Sequence, residues 1–376
     1  MFLQKIQVSN YKNYAQLDIE FSSKINCFVG DNGSGKTNLL DAIYYLSYCK
    51  SYFNGIDSQN IFHDLGFFAI HGNYVSLTDQ SSDFISCVLK RNERKVVKIN
   101  KKEYQKLSDH IGKIPLVMVS PYDVDLINEG SEFRRKYFDS VLAQFDKLYL
   151  DDLVQYQKIL LQRNALLKSF AENKRFDPDA LVIWDDQMVS VGERIHQKRK
   201  LFLNEFQPII QKYFNLISGG AEQISVKYES QLTNNDFYIL LKKALDNDRN
   251  SQYSTVGIHK DDYFFLMDDY PLKRFGSQGQ QKTFLVALKL AQFESTMQIK
   301  KVKPILLLDD IFDKLDDNRV GLLINLVGND TFGQVFISDT QSERISLIFN
   351  KFSIDHSIFQ IKNATIKPLN QSSDER

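Results

Sequence analysis

Apolar and polar positions alternate through Leu3–Val8 and Leu17–Phe21 and give way to a continuous apolar run over Ile25–Val29, which predicts three short strands at the start of the chain. After Gly30–Gly35 the period lengthens, and Leu39, Leu40, Ile43, Tyr44 and Leu46 fall on one helical face. Strand, glycine loop and helix therefore follow in that order. Residues 67–106 alternate again around two polar breaks, the pattern of hairpins in an antiparallel β lobe.

From about Pro121 to Leu216 the strand signals stop. Leu153, Tyr156, Leu160, Asn164 and Leu167 mark one helix, and Leu181, Trp184, Met188, Val191 and Ile195 mark a second. Asn173–Pro178 supplies the turn, since proline disfavours helix in the residue before it. A helix of ~30 residues spans only ~45 Å, so the pair forms a short lobe and not a long coiled-coil arm. Gly219 and Gly220 close it. Strand chemistry returns at Ile224–Tyr228 and Tyr263–Met267, helical period at 283–299, and continuous apolar runs at Ile305–Leu308 and Val335–Ser338 suit strands buried on both faces of a parallel sheet. The final Gln371–Arg376 reads as a frayed tail.

Composition narrows the class. With 376 residues, 43% apolar and 25% charged, the chain can bury a sizeable core and is not disordered as a whole. Forty-seven basic residues balance 47 acidic ones, so a polyanion site has to be a local patch. Three widely spaced cysteines, Cys27, Cys49 and Cys87, fit neither a disulfide framework nor a zinc module. No apolar run approaches the ~20 residues of a membrane helix, and the opening residues lack a signal-peptide core, so a cytoplasmic protein is expected.

Chemistry concentrates in three motifs. Gly30-Asp31-Asn32-Gly33-Ser34-Gly35-Lys36-Thr37 matches the phosphate loop G-x-x-x-x-G-K-[ST] and sits between the predicted strand and helix. Its N–H groups are expected to surround the phosphates, Lys36 to meet the β and γ oxygens, and Thr37 to reach Mg²⁺, so ATP with Mg²⁺ is the expected ligand. Asp309 and Asp310 end the apolar run at 305–308, 273 residues after Lys36. Asp309 is expected to hold Mg²⁺ and Asp310 to orient the attacking water, although strand-end aspartates also cap helices. Between the two motifs lies Ser277-Gln278-Gly279-Gln280, just before the helical period at 283–299, and this resembles the S-x-G-Q signature of ABC-type ATPases. The resemblance implies that Ser277, Gly279 and Gln280 of one copy contact nucleotide held by a second. Lys314-Leu315-Asp316 stands at the D-loop position, and Ser338-Asp339-Thr340 at the switch. Transporter ATPases carry His at the switch, and Asp310 is one methylene shorter than the usual Glu; both departures point to slow turnover.

The fold class expected is therefore α/β, an ABC-type ATPase head with a phosphate-loop sheet and an antiparallel β lobe, built from 1–120 and 217–376, with a helical lobe inserted at 121–216. Further elements bring the chain close to the RecF family of bacterial recombination mediators, within the ABC-type, SMC-like superfamily. They are Asn10-Tyr11-Lys12-Asn13-Tyr14, Ser120-Pro121-Tyr122-Asp123, Gly130-Ser131 with Phe133-Arg134-Arg135, and Gly257-Ile258-His259-Lys260-Asp261-Asp262. The resemblance implies an ATP-dependent homodimer that binds duplex and gapped DNA, works with RecR and RecO, and places RecA on single strands. It also implies that Lys12 and Asn13 contribute to the nucleotide site. Phe53 follows Lys50-Ser51-Tyr52 where the family often has Arg.

DNA contact is expected from Lys90, Arg91, Arg94, Lys95, Lys98, Lys101 and Lys102, in a stretch to Lys106 with eight basic residues against Glu93 and Glu103. The same charges also suit a solvated sheet edge. Arg194, Lys198, Arg199 and Lys200 form a second cluster, Arg134 and Arg135 are expected near the dimer or nucleotide, and His259 is expected to be structural or dimer-facing. Two alternatives remain open at this point: the nucleotide-binding subunit of an ABC transporter, and a P-loop kinase, which would lack a trans signature.

Overall fold

The opening alternation forms a hairpin of Phe2–Tyr11 and Tyr14–Glu20, turned by Lys12 and Asn13. A computed structural model describes every residue except 78, 221, 312–320, 322–331, 342–348, 350–355 and 370–376. The hairpin widens into a six-stranded antiparallel sheet, ordered Tyr14–Glu20, Phe2–Tyr11, Phe67–Val75, Ser82–Lys90, Val96–Ile99 and Lys102–Glu103. This is the expected β lobe.

The second sheet carries the chemistry. Its order is Thr365–Pro368, His356–Lys362, Ile25–Val29, Val335–Asp339, Ile305–Leu308 and Leu116–Val119, parallel except for the first pair. The strands Ile25–Val29, Val335–Asp339, Ile305–Leu308 and Leu116–Val119 are buried throughout, which is why they read as apolar runs without alternation. Helix Lys36–Tyr48 packs against both sheets and joins them in one core; 11 of its 13 residues are buried, including Asp41. The D-loop residues Lys314–Asp316 and the terminal 371–376 lie outside the described residues.

Contacts divide the chain into two compact units. The first comprises Met1–Asp123, Leu216–Gly219 and Leu285–Arg376, the second Val124–Asn215 and Gly220–Phe284. The expected boundaries gave 220–284 to the head; the structure instead folds it with the helical lobe. The physical reason is hydrogen bonding to the long helix Pro178–Ser218. Gln207 exchanges bonds with the main chain of Ile224 and Val226, and Gln211 accepts from the Ile224 N–H. These bonds satisfy one edge of Ile224–Glu229, whose other edge pairs antiparallel with Asp262–Met267.

Helices Ser131–Phe145 and Phe237–Ser251 pack against Lys147–Asn173 in the second unit, which also holds Pro178–Ser218 and the short helices Asp125–Asn128 and Leu272–Phe275. Lys174 ends Lys147–Asn173 in a left-handed conformation, and Pro178 opens the next long helix. The turn falls where the sequence places it.

Candidate functional site

The phosphate loop joins Ile25–Val29 to the buried helix that begins at Lys36. Packing dictates its glycines. A Cβ on Gly30 would stand 2.2 Å from the carbonyl oxygen of Ile361, and one on Gly35, where φ is +118°, would stand 2.9 Å from Asn13 Nδ2 and Tyr14 Oη. Tyr14 donates to the Gly35 carbonyl at 3.0 Å, and Asn38 donates to Asn13 Oδ1 at 2.8 Å. The hairpin turn at Lys12 and Asn13 thus braces the loop from one side. Lys36 reaches back along the loop, with Nζ donating to the carbonyls of Gly30 at 2.7 Å and Asp31 at 3.0 Å.

The sheet order brings the distant motif to the loop. Val335–Asp339 lies between Ile25–Val29 and Ile305–Leu308, so the ends of all three strands share one edge. There Thr37 Oγ1 donates to Asp309 Oδ1 at 2.9 Å, Ser338 Oγ donates to the same oxygen at 2.8 Å, and the Asp310 N–H donates to Ser338 Oγ at 2.9 Å. Ser338 therefore holds both aspartates, with the Asp310 backbone in the left-handed region at φ +44°. Burial pushes the Asp309 carboxyl up to about 6; the two hydroxyl donors oppose that rise and the Asp310 charge adds to it. The Asp309 carboxylate beside the Thr37 hydroxyl is a hard oxygen set suited to Mg²⁺. Among the described residues no group of three or more His, Cys, Asp or Glu side chains could hold a metal by itself.

Lys12 sits at φ +51° in its turn, and its ammonium pairs with the fully buried Asp41 at 2.6 Å. Asp41 also accepts from Tyr11 Oη at 2.6 Å, Ser51 Oγ at 2.7 Å and the Tyr52 N–H at 2.7 Å. Sequence reasoning missed Asp41, although an acid within Leu39-Leu40-Asp41-Ala42-Ile43 is a signal of a paired buried charge. Phe53, in the arginine position, lies 5.2 Å beneath the Lys12 ammonium.

The signature belongs to the second unit. Ser277 Oγ accepts from the Gln280 N–H at 3.2 Å and Gln280 Oε1 accepts from the Ser277 N–H at 2.8 Å, a reciprocal capping box that opens helix Gln278–Lys300. Gln280 Nε2 donates to Glu222 at 2.9 Å, while Ser277 remains exposed.

Several other expected positions are structural. Arg199 is buried and bonds Asp139, Asp261 and the Ile258 carbonyl, so it is removed from any DNA face. Arg194 pairs with Asp152 and Lys198 with Asp146. Arg134 grips Asp262 through two bonds of 2.8 and 3.0 Å, and Arg135 donates to the Asp261 carbonyl, which ties both half-buried side chains to the second unit. His259 is structural: its ring meets Tyr156 Oη and the Ser254 carbonyl, each at 3.0 Å, and burial pushes its pKa down to about 4. In the basic stretch, Lys95 is removed from the proposed DNA face, because its ammonium is buried against Asp57 at 2.6 Å and the Cys49 carbonyl at 2.5 Å. Arg91 and Arg94 donate to main-chain carbonyls, Lys90 stands 3.7 Å from Glu93, and Lys101 and Lys102 are exposed with Lys98 half-buried.

Phosphate loop, strand-end aspartate pair and helix-opening signature on this sheet order define an ABC-type, SMC-like ATPase head. Residues 2–358 match the family model described as RecF/RecN/SMC N terminal domain. The DNA replication and repair protein RecF of Flavobacterium johnsoniae is 51% identical over 361 residues, covering 96% of this chain and all of that protein. RecF of Bacteroides fragilis is 48% identical over 371 residues, 99% of each chain. The chain belongs to the RecF family. A solved structure of the recombination mediator protein RecF with ATP in the RecFOR pathway superposes with a TM-score of 0.89 at 30% identity, covering 98% of this chain and 97% of that one. An SMC head bound to the C-winged helix domain of ScpA, at 14% identity and a TM-score of 0.57, shares the fold. Among the described residues no helix is long and apolar enough to cross a membrane.

Proposed function

We propose that this chain is an ATP-dependent DNA-binding protein of recombinational repair and replication restart, in which ATP closes a homodimer that clamps DNA near gaps and helps load RecA together with RecR and RecO. The coarse part of this reading, a role in DNA repair and recombination, is supported by the RecF relatives across the whole chain. The observation that carries the nucleotide part is the meeting of Thr37, Asp309 and Ser338 at one sheet edge beside Lys36.

In that site Lys36 and the loop N–H groups offset phosphate charge, Thr37 and Asp309 hold Mg²⁺, and Asp310 orients the attacking water. Asp31, Asn32, Gly33 and Ser34 line the loop, and Lys12 and Asn13 flank it. Ser277, Gly279 and Gln280 serve the nucleotide of the second copy, so each ATP has ligands on both subunits. Affinity for ATP and for the partner copy are then linked, and hydrolysis releases both. A short Asp310 and hydroxyls at the switch suit a slow, DNA-stimulated turnover that resets the clamp. With Lys95 buried, Lys90, Arg91, Arg94, Lys98, Lys101 and Lys102 are the sheet-edge candidates for phosphate contact.

The test is binding to a gapped duplex at two salt concentrations, with and without Mg·ATP, while mass is followed. ATP is expected to drive dimerisation and salt-sensitive DNA binding together, and Asp310→Asn to trap both. A monomeric Asp310→Asn protein in saturating Mg·ATP would falsify the clamp.

A further inference from the structure

A line of buried polar side chains runs from the phosphate-loop helix to the helix that carries the signature. Asp41, five residues after Lys36, holds Lys12 on one oxygen and the Tyr52 N–H on the other. The Tyr52 hydroxyl donates to Asp123 Oδ1, and Lys289 donates to both of them, at 2.9 Å to the hydroxyl and 2.7 Å to the carboxylate. The second Asp123 oxygen accepts from the Ser120 N–H at 2.8 Å. Lys289 and Asp123 side chains are each 3% exposed, and Asp41 is fully buried. Lys289 lies 12 residues after Ser277 on the unbroken helix Gln278–Lys300, about three turns along it.

Stability alone does not account for this arrangement. Two buried carboxylates and two lysines cost several kcal/mol each to desolvate, and apolar side chains of similar volume would serve a core as well or better. What the line provides is fixed geometry: each link is directional, and a shift at one end leaves a buried charge unmatched at the next. Lys12 lies in the hairpin turn whose next residue, Asn13, braces the phosphate loop. Polyphosphate beside the loop draws the Lys12 ammonium away from Asp41, which then holds its hydroxyl and N–H donors more tightly, Tyr52 among them.

We propose that Tyr52 and Lys289 are positioning residues, through which occupation of the phosphate loop sets the position of the helix that presents Ser277. The inference rests on the nucleotide reading of the loop and signature given above. Its readout does not need the dimer.

The experiment compares wild type with Tyr52→Phe, which removes one hydroxyl and keeps the main-chain bond to Asp41, and with Lys289→Met. ATP affinity is measured under dilute conditions where mass shows a monomer, and hydrogen exchange of the peptide 277–289 is followed with and without Mg·ATP. ATP is expected to slow exchange in this peptide of the wild type. Each variant is expected to reduce that ATP-dependent difference about tenfold while its ATP affinity stays within about threefold. A purely structural role lowers the unfolding midpoint and leaves the exchange difference intact. That result in both variants overturns the proposal, as does a wild-type peptide indifferent to ATP. Failure of the wild type to dimerise would count against the clamp and leave the exchange result to decide this inference by itself.

Discussion

In the second unit the buried guanidinium of Arg199 meets Asp139 and Asp261, and that of Arg163 meets Asp185 and Asp248, each contact between 2.6 and 3.1 Å. In the first unit, Lys36 donates to two main-chain carbonyls and Asp309 accepts from two hydroxyls. One region matches its buried charges internally, and so holds a shape. The phosphate-loop site gives Lys36 and Asp309 neutral hydrogen-bond partners, although the same unit pairs Lys12 with Asp41 and Lys289 with Asp123, and this leaves that site suited to phosphates and a cation. The raised pKa of Asp309 expresses the difference: two hydroxyl donors and the nearby Lys36 charge return less than burial takes away.

Three substitutions sharpen this contrast. Arg199→Met is expected to have the largest effect, because it leaves Asp139 and Asp261 without their cation; a loss of about 3–5 kcal/mol in unfolding free energy should appear in denaturant titration. Retention of wild-type stability would mean that the second unit tolerates buried charge without a counter-ion, as the phosphate-loop site does. Next, Lys36→Ala is expected to weaken ATP binding about a hundredfold, the worth of a charge-assisted contact to phosphate, while stability changes by about 1 kcal/mol or less. Calorimetry and thermal unfolding of the same samples would separate the two quantities.

The smallest effect is a pH dependence at His259. Burial lowers its pKa from 6.5 to about 4, so the unfolded chain takes up the proton first. Its contribution is complete above the unfolded value and is lost as pH falls from 6.5 towards 4. His259→Gln should flatten that part of the stability profile relative to wild type. An unchanged slope would assign acid sensitivity to other buried groups of the second unit.

The contrast also explains what could be read from the amino-acid sequence. The phosphate loop, the aspartate pair and the signature were legible because each depends on local backbone chemistry: glycines at close approaches, an acid ending an apolar strand, a Ser and a Gln three residues apart at a helix start. The buried strands Ile25–Val29, Ile305–Leu308 and Val335–Asp339 and the two long helices were legible from period, whereas the buried strand Leu116–Val119 was missed. Long-range pairing was not. Lys95 and Lys102 are alike in sequence, yet one is buried on Asp57 and the other exposed, because only the hairpin register decides which side of the sheet each faces. Likewise 220–284 carries the strand signals of the head, but Asp261 and Asp262 face Arg199 and Arg134, which lie over 60 residues away in the chain. Those contacts, together with the glutamines of the long helix, assign the segment to the second unit.

The turn between the two long helices has a consequence for how such a lobe can vary in length. The hub residues Asp139, Tyr149, Arg199 and Asp261 lie near its base, and Arg163 with Asp185 and Asp248 forms a second clasp farther along the pair. Beyond that clasp the chain turns at Lys174 and Pro178 without either hub. Matched helical turns inserted into both arms at this point would lengthen the lobe while leaving every buried ion pair in place, whereas removal of 121–216 would orphan the strand at 224–229. Length is therefore adjustable at the tip and constrained at the root, so related heads can differ in reach without rebuilding their base.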